Sequence, residues 1–154
     1  MNKLMVVGIG NYILQDEGVG VHAIKRLMEM DLPDGVELVD GGTHSYDLVD
    51  FFCQAENLII IDAMQAGGEP GTMYRAPLEE LGLRPQENCT SLHEMHFIEA
   101  VKMVNMMGHY PKIIVYGIEP EVIDWGMELT PLIEEKLPRL TELVAEEIRA
   151  LMAE

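Results

Sequence analysis

Residues 57–62 read Asn-Leu-Ile-Ile-Ile-Asp, and this stretch indicates the fold more clearly than any other part of the chain. Four consecutive apolar side chains, three of them β-branched, are typical of a strand that is buried on both faces. Such strands occur in parallel sheets whose two faces are covered by helices. The acid that ends the run, Asp62, then lies at the carboxyl end of its strand, where binding sites form in open α/β sheets.

Strand and helix patterns alternate along the rest of the chain. Short apolar runs predict further strands at 4–7, 36–39, 72–75 and 112–117. Apolar residues at helical spacing predict helices at 19–30, 45–53, 91–107 and from Thr130-Pro131 onward. Pro138 is expected to kink or restart the last helix. The chain is therefore predicted to form a single domain over 1–154, a three-layer α/β/α sandwich around a mostly parallel, twisted sheet of about five strands.

Acidic residues dominate the charge of the chain. It carries 27 Asp and Glu against 10 Lys and Arg, which gives a formal net charge of −17 at pH 7. Nucleic acids and anionic membrane surfaces bind through clusters of Lys and Arg, so this balance argues against both as partners. A metal ion, a cationic peptide or a basic partner protein remains compatible with the charge.

The apolar and cysteine patterns indicate a soluble, cytoplasmic protein. No apolar stretch approaches the roughly 20 residues that a membrane span requires, and no signal peptide is visible. Cys53 and Cys89 form no Cys-x-x-Cys pair, which excludes a zinc ribbon or a thioredoxin-like site. Two idle thiols are typical of a reducing compartment.

Gly8 and Gly10 follow the first predicted strand and raise the question of dinucleotide binding. The third glycine of that fingerprint is missing, because Ile13 stands in its place, and Asp16 and Glu17 would repel a pyrophosphate. We therefore expect no saturable binding of ATP or NAD. The glycines are better explained by a tight turn and by the close approach of another backbone.

Glu17, Asp62 and His93 are the candidate metal ligands. Each follows a short apolar run or stands at a predicted helix start, which places all three at the carboxyl edge of the sheet. Two carboxylates and one imidazole make a three-ligand site for a borderline divalent metal, with positions left open for water or substrate. The positive end of a helix disfavours protonation of His93, which keeps its ring neutral and able to bind a metal.

A structural role is open for each of these residues. Capping of the first helix needs only one acid, and Asp16 is the better cap, which leaves Glu17 to point into the crevice. A backbone amide instead of a metal can pair with Asp62. A local hydrogen bond can account for His93, and His96, one turn further on, is a weaker candidate ligand.

Asp40 follows the second predicted strand in the segment Asp40-Gly41-Gly42-Thr43, and a parallel sheet brings it to the same edge as the candidate ligands. It is either the cap of a turn or a carboxylate that contacts substrate beside the metal. The remaining histidines stand at no spacing that suggests metal binding; they are His22, interpreted as a surface or core residue of the first helix, His44 and His109.

Eight short segments carry a resemblance to one protein family. In chain order they are Val7-Gly8-Ile9-Gly10-Asn11, Asp16-Glu17-Gly18-Val19-Gly20, Asp40-Gly41-Gly42-Thr43, Ile60-Ile61-Asp62-Ala63, Pro70-Gly71-Thr72, Ser91-Leu92-His93-Glu94, Gly117-Ile118-Glu119-Pro120 and Leu129-Thr130-Pro131. The ordered set spans nearly the whole chain. It resembles the nickel–iron hydrogenase maturation endopeptidases, which trim the carboxyl terminus of the hydrogenase large subunit.

The resemblance implies a nickel site made of Glu17, Asp62 and His93. The nickel arrives already loaded in the substrate, other divalent metals are able to substitute for it, and the enzyme reads the ion before it removes the C-terminal extension of the precursor. Asp40 matches a family carboxylate associated with substrate or cleavage and is a candidate base. We therefore expect a metal-dependent endopeptidase whose nickel orients the scissile segment, polarises its carbonyl or activates a water.

The chain departs from the family at two places. His96 stands where the family often has Gly, and Ser45-Tyr46 replaces a small or glycine-containing pattern. These changes leave the three ligands intact, and we expect them either to alter which precursor is accepted or to add a fourth ligand. The rival hypothesis is a non-catalytic, metal-binding chaperone that docks on the precursor without cutting it.

Overall fold

Five strands among the described residues form one sheet. The computed structural model describes the backbone of residues 3–42, 45–78, 80 and 92–153, and the side chains of the same residues except 42, 45–47 and 92–97. The strands are β1 (Leu4–Ile9), β2 (Val36–Gly42), β3 (Asn57–Ala63), β4 (Met73–Pro77) and β5 (Lys112–Ile118). Their order is β2-β1-β3-β5-β4, with β4 antiparallel at one edge and all other pairs parallel. The predicted, mostly parallel sheet is confirmed.

Helices cover both faces of this sheet. Those in the described part of the chain are α1 (Val19–Met28), α2 (Ser45–Gln54), α3 (Leu92–Met106) and α4 (Pro131–Met152). The apolar sides of α1 and α4 pack on one face, and those of α2 and α3 pack on the other. This arrangement is the predicted three-layer α/β/α sandwich. None of the described helices has the combination of length and apolar character needed to cross a membrane.

The last helix, α4, passes through Pro138 as one continuous element, so the predicted restart does not occur. An interior proline removes one helical hydrogen bond and costs about 3 kcal/mol. The buried side of α4 offsets this cost by packing a full apolar stripe against the sheet: Ile133, Leu137, Leu140, Val144 and Ile148. Tertiary packing therefore decides the course of this helix.

Side-chain alternation along β3 assigns each of its residues to one layer. Ile59 and Ile61 pack in the core under α1 and α4, whereas Leu58 and Ile60 pack in the core under α2 and α3. Successive strand residues point to opposite faces, so Asp62 follows Leu58 and Ile60 toward the α2 and α3 layer. The strand thus presents one carboxylate on that face at its carboxyl end.

Two glycines allow α1 to lie directly on the sheet. A Cβ atom built on Gly8 would overlap the carbonyl oxygen of Gly20, and one built on Gly20 would overlap the carbonyl oxygens of Ile9 and Ile61. These contacts are backbone to backbone, so no side-chain movement relieves them. The predicted close approach of another backbone is confirmed, and it explains these glycines without a bound nucleotide.

We expect Gly20→Ala to lower the free energy of unfolding by about 3 kcal/mol, because the added methyl group meets two fixed carbonyl oxygens. Helix propensity alone would give the opposite sign, a gain of about 1 kcal/mol. Urea unfolding measures the change. Arg26→Ala, at an exposed position of the same helix, is the control and should change stability by less than about 0.5 kcal/mol. An equal or higher stability of Gly20→Ala would contradict the packing described here.

A polar cluster ties the edge strand β4 to α4. The hydroxyl of Tyr116 donates to Glu147 at 2.7 Å, and the Arg75 side chain donates to Glu147 at 2.8 Å and to Tyr116 at 3.2 Å. Burial disfavours the phenolate and, together with the hydrogen bond to Glu147, raises the pKa of Tyr116 to about 12. Burial also disfavours ionisation of Glu147, but hydrogen bonds from Arg75 and Tyr116 outweigh it, and the pKa of Glu147 is lowered.

The raised pKa of Tyr116 predicts a loss of stability at high pH. The unfolded phenol loses its proton near its ordinary pKa of 10.0, whereas the folded one keeps it until about 12. The contribution is therefore complete below pH 10 and disappears as the pH rises through 12, with a magnitude of about 2 kcal/mol. Urea unfolding at a series of pH values measures it. Tyr116→Phe should show a shallower decline than the wild type over that range, and parallel curves would contradict the assignment.

Candidate active site at the carboxyl edge of the sheet

Gly10 lies next to two of the predicted ligands, Glu17 and Asp62. It follows β1 with a φ of +136°, a conformation that favours glycine, and a Cβ atom at this position would overlap the carbonyl oxygen of Glu17. The same Cβ position lies 3.6 Å from Oδ1 of Asp62. The absence of a side chain at residue 10 therefore lets the backbone of Glu17 approach β1, and the carboxylate of Asp62 lies in contact with the same point at the carboxyl edge of the sheet.

Asp62 is the buried member of this pair, with 2% of its surface exposed. Its Oδ1 accepts a hydrogen bond from the backbone N–H of Ala63 at 2.8 Å. The predicted structural alternative, a backbone amide as partner, is therefore present. A carboxylate has about four acceptor positions, so this bond is compatible with a cation as a further partner. Asp62 of β3 pairs with Gly117 of β5, and a glycine places no side chain beside the carboxylate.

Glu17 lies in a short 3₁₀ helix, Gln15–Gly18, that leads from the loop after β1 into α1. Its side chain is only partly buried, in contrast to that of Asp62. The 3₁₀ helix contacts β3 directly. Glu17 is thus held at the carboxyl edge by the element that connects the first strand with the first helix.

The backbone of α3 carries His93 in its first turn. The other end of α3 lies at the opposite edge of the sheet, because the ring of His109 just beyond it hydrogen-bonds with the carbonyl of Ala55 at 2.6 Å, ahead of β3. The start of α3 therefore lies toward the carboxyl edge, on the face to which Asp62 points.

The side chain of His93 falls outside the described part of the structure, as do that of His96 and the whole of His44. Among the side chains that are described, no three His, Cys, Asp or Glu residues form a group able to hold a metal ion. The ligand set of Glu17, Asp62 and His93 therefore stays a prediction.

Asp40 is exposed near the end of β2, opposite Gly8 of β1. The register shifts directly afterwards, since Ile9 pairs with Gly42, and the extra residue Gly41 forms a bulge. A Cβ atom on Gly41 would lie 2.7 Å from Cγ1 of Val7, so the bulge requires glycine. Asp40 thus stands on the predicted edge of the sheet, one strand outward from Glu17.

Asp16 has a different role from the predicted helix cap. The cap position of α1 is Gly18, and no side chain caps this helix. Asp16 is completely buried, and its Oδ2 accepts hydrogen bonds from the backbone N–H groups of Glu121 at 2.9 Å and Val122 at 3.0 Å. Its Oδ1 accepts from the N–H of Thr130 at 2.8 Å, and the Thr130 hydroxyl donates to both oxygens. Asp16 therefore fastens the loop after β5.

That loop, residues 119–130, is held by further contacts. Gln15 donates from its backbone to Gly126, and Gly126 donates back to Ile13, both at 2.9 Å. His22 of α1 forms a hydrogen bond with the backbone of Met127, and burial lowers the pKa of His22, so its ring is neutral at pH 7. The loop after β1 and the loop after β5 are thus joined by hydrogen bonds around Asp16.

Glu119 organises a third loop at this edge. It is buried, and its Oε1 accepts hydrogen bonds from the backbone N–H groups of Ala66 at 3.0 Å and Gly68 at 3.1 Å and from the hydroxyl of Tyr74 at 2.8 Å. Sequence reasoning missed the roles of Glu119 and Asp16. For Glu119 a signal was available, because it directly follows the apolar run of β5, where a buried carboxylate must collect donors. For Asp16 the neighbouring residues gave no such signal.

We expect Asp16→Asn to lower the free energy of unfolding by about 3 kcal/mol, because the amide nitrogen turns a donor toward buried N–H groups that then lack an acceptor. Urea unfolding measures the loss. The matched control is Asp124→Asn, an exposed acid in the fastened loop, which should change stability by about 0.5 kcal/mol or less. Equal effects of the two substitutions would show that the buried carboxylate does not hold the loop.

The fold and this edge define a class: an α/β protein with a mostly parallel sheet and acidic residues gathered at its carboxyl edge. The model of the hydrogenase maturation protease family matches residues 21–147. The chain belongs to this family, and the predicted family is thereby confirmed.

Named relatives agree with this assignment over most of the chain. HupD of Rhizobium leguminosarum bv. viciae, a hydrogenase expression/formation protein, is 34% identical over 151 residues, which cover 96% of this chain and 75% of HupD. The hydrogenase 2 maturation protease of Escherichia coli K12 is 32% identical over 147 residues, covering 93% and 89% of the two chains. The solved structure of the hydrogenase maturating endopeptidase HybD from E. coli superposes with a TM-score of 0.87 at 31% identity, covering 97% of this chain and 93% of HybD.

Proposed function

We propose that this protein is an endopeptidase that removes the C-terminal extension of the nickel-loaded large subunit of a nickel–iron hydrogenase. The observation that carries the proposal is that the backbone of Glu17 and the buried carboxylate of Asp62 both lie beside Gly10, in a chain of the hydrogenase maturation protease family. A cytoplasmic location is part of the proposal, since Cys53 is a free thiol.

In this proposal the nickel ion belongs to the substrate. Glu17, Asp62 and His93 contact it while it sits in the precursor, and the ion thereby reports that the precursor is loaded. Carboxylate oxygen and imidazole nitrogen suit several borderline divalent metals, so cobalt or zinc in the precursor is expected to replace nickel in part. Burial of Asp62 favours this role, because a cation compensates a carboxylate that has left water.

Asp40 is the proposed contact for the segment to be cleaved. Its carboxylate is exposed at the same edge as Glu17, and the Gly41 bulge fixes its position relative to β1. A base at this place takes a proton from the attacking water, and the water then adds to the scissile carbonyl. The amide bond breaks as its nitrogen takes up a proton.

The test is to incubate the protein with nickel-loaded and nickel-free precursor and to measure the precursor mass. We expect shortening of the loaded precursor alone. Glu17→Gln and His93→Ala should each lower the cleavage rate by about 100-fold or more, since loss of even a supporting group at a metal site costs 10–100-fold. Glu29→Gln, at an exposed position beyond the end of α1, is the matched control and should cleave at the wild-type rate.

Each other result of this assay has a definite meaning. Undiminished cleavage by Glu17→Gln would remove Glu17 from the site. Cleavage of nickel-free precursor at the same rate as loaded precursor would contradict the proposed recognition of the nickel ion. A precursor that binds the protein but keeps its full mass under all conditions would identify a chaperone and not a protease.

A further inference from the structure

An exposed apolar surface lies beside the candidate active site. Four of its side chains come from the loop after β5 and one from the loop after β1. They are exposed by 39 to 76%, and they are Ile13, Val122, Ile123, Trp125 and Met127. We call these five residues the rim patch. Apolar surface gathered in this way on a folded protein marks an interaction site more often than isolated exposed residues do.

The backbone beneath the rim patch is tightly held although its side chains face solvent. Asp16 binds the N–H groups at both ends of the loop, and Gly126 pairs in both directions with the loop after β1. A surface that is already ordered loses little conformational entropy when a partner binds. The rim patch is therefore prepared for docking without a folding step.

The position of the rim patch relative to the site is fixed by two consecutive residues. Asp16 fastens the patch, and Glu17, the next residue of the same 3₁₀ helix, is a proposed nickel contact. The rim patch and Glu17 therefore belong to the same end of the sheet, where the loops after β1 and β5 are joined by backbone hydrogen bonds.

Acidic side chains are interleaved with the apolar ones. Glu121, Asp124 and Glu128 are all exposed in the same loop as Trp125. The chain as a whole carries a formal net charge of −17. Charge complementarity therefore favours a partner with Lys and Arg around an apolar centre. A second copy of this chain is disfavoured, because a symmetric contact would place these acids against their own copies.

We propose that the rim patch docks the folded body of the hydrogenase precursor, on an apolar surface flanked by basic residues next to the segment to be cleaved. Trp125 is the central contact, since it is the most exposed member of the patch at 76% and Trp is strongly enriched among residues that dominate binding energy. This inference rests on the proposed function and adds to it the surface that selects the client protein.

The first test measures cleavage kinetics of nickel-loaded precursor with Trp125→Ala. We expect KM to rise about 30-fold while kcat stays unchanged, the size of effect typical of a dominant interface residue. The matched control is Tyr110→Ala. Tyr110 is 75% exposed but lies just ahead of β5, at the opposite edge of the sheet, so its removal should leave KM unchanged. Thermal unfolding of both variants verifies that each is folded.

A charge variant tests the basic flank of the partner. Asp124→Lys with Glu128→Lys should raise KM by about 10-fold or more and reduce its dependence on salt, because like charges then face each other. Glu146→Lys, an exposed charge reversal on α4, is the control and should behave as the wild type.

A third test observes docking without cleavage. Trp125 is the only tryptophan of the chain, so labelling with 5-fluorotryptophan gives a single ¹⁹F resonance from the rim patch. In a Glu17→Gln background we expect nickel-loaded precursor to shift or broaden this resonance. Precursor that has first been incubated with unlabelled wild-type protein should leave the resonance unchanged.

The outcomes separate the two proposals. A ¹⁹F change without any shortening of precursor by the wild type supports docking and refutes the proposed protease function. Docking at the rim patch is refuted if Trp125→Ala cleaves precursor with an unchanged KM, or if precursor leaves the ¹⁹F resonance of Trp125 unchanged. Either result leaves the proposed protease function intact. A dimer in sedimentation that Trp125→Ala converts to a monomer would assign the rim patch to a second copy of the chain and overturn the inference.

Discussion

The buried carboxylate of Asp16 is the interaction on which the active-site edge depends. A charge removed from water is costly unless donors surround it, and here three backbone N–H groups and one hydroxyl do so. All four donors come from the loop that follows β5, whereas Asp16 follows β1. Because β3 lies between these strands, the carboxylate bridges two loops from either side of the strand that carries Asp62. The edge is thereby joined across β3, and Glu17 lies in the same 3₁₀ helix as the bridging carboxylate.

The strands and layers could be predicted from the sequence because their signals are local. Leu58 to Ile61 can form little but a buried strand, and Gly8 and Gly10 indicate close backbone contact within their own segment. The role of Asp16 is not local, since its donors are 105 to 114 residues away along the chain. From its neighbours alone an acid before a helix indicates a cap, and the tertiary partners replace that role. Pro138 follows the same rule, because distant packing keeps its helix continuous.

In the candidate site, too, some features could be predicted from the sequence and others could not. Strand alternation and the direction of α3 account for Asp62 and for the backbone position of His93, and both follow from the order of elements in the sequence. The backbone of Glu17 approaches Gly10 in a conformation with a positive φ, which the sequence allows but does not specify. Chemistry of the donor types therefore predicts a metal site, and backbone geometry decides which atoms approach one another.

The proposed recognition of nickel and the proposed recognition of the client make different demands on the protein. Asp16 and Glu17, consecutive residues of one 3₁₀ helix, belong to the two proposed surfaces. Two carboxylates and an imidazole bind several divalent ions, so a site of this kind reports loading but carries no information about which protein holds the ion. Discrimination between clients needs a surface on which a wrong partner meets unpaired charge or poor packing. The loop fastened by Asp16 offers such a surface, with Trp125 among exposed acids. Under the proposed docking, a client that docks poorly also presents its ion at the wrong place, since Glu17 is the next residue of the same 3₁₀ helix.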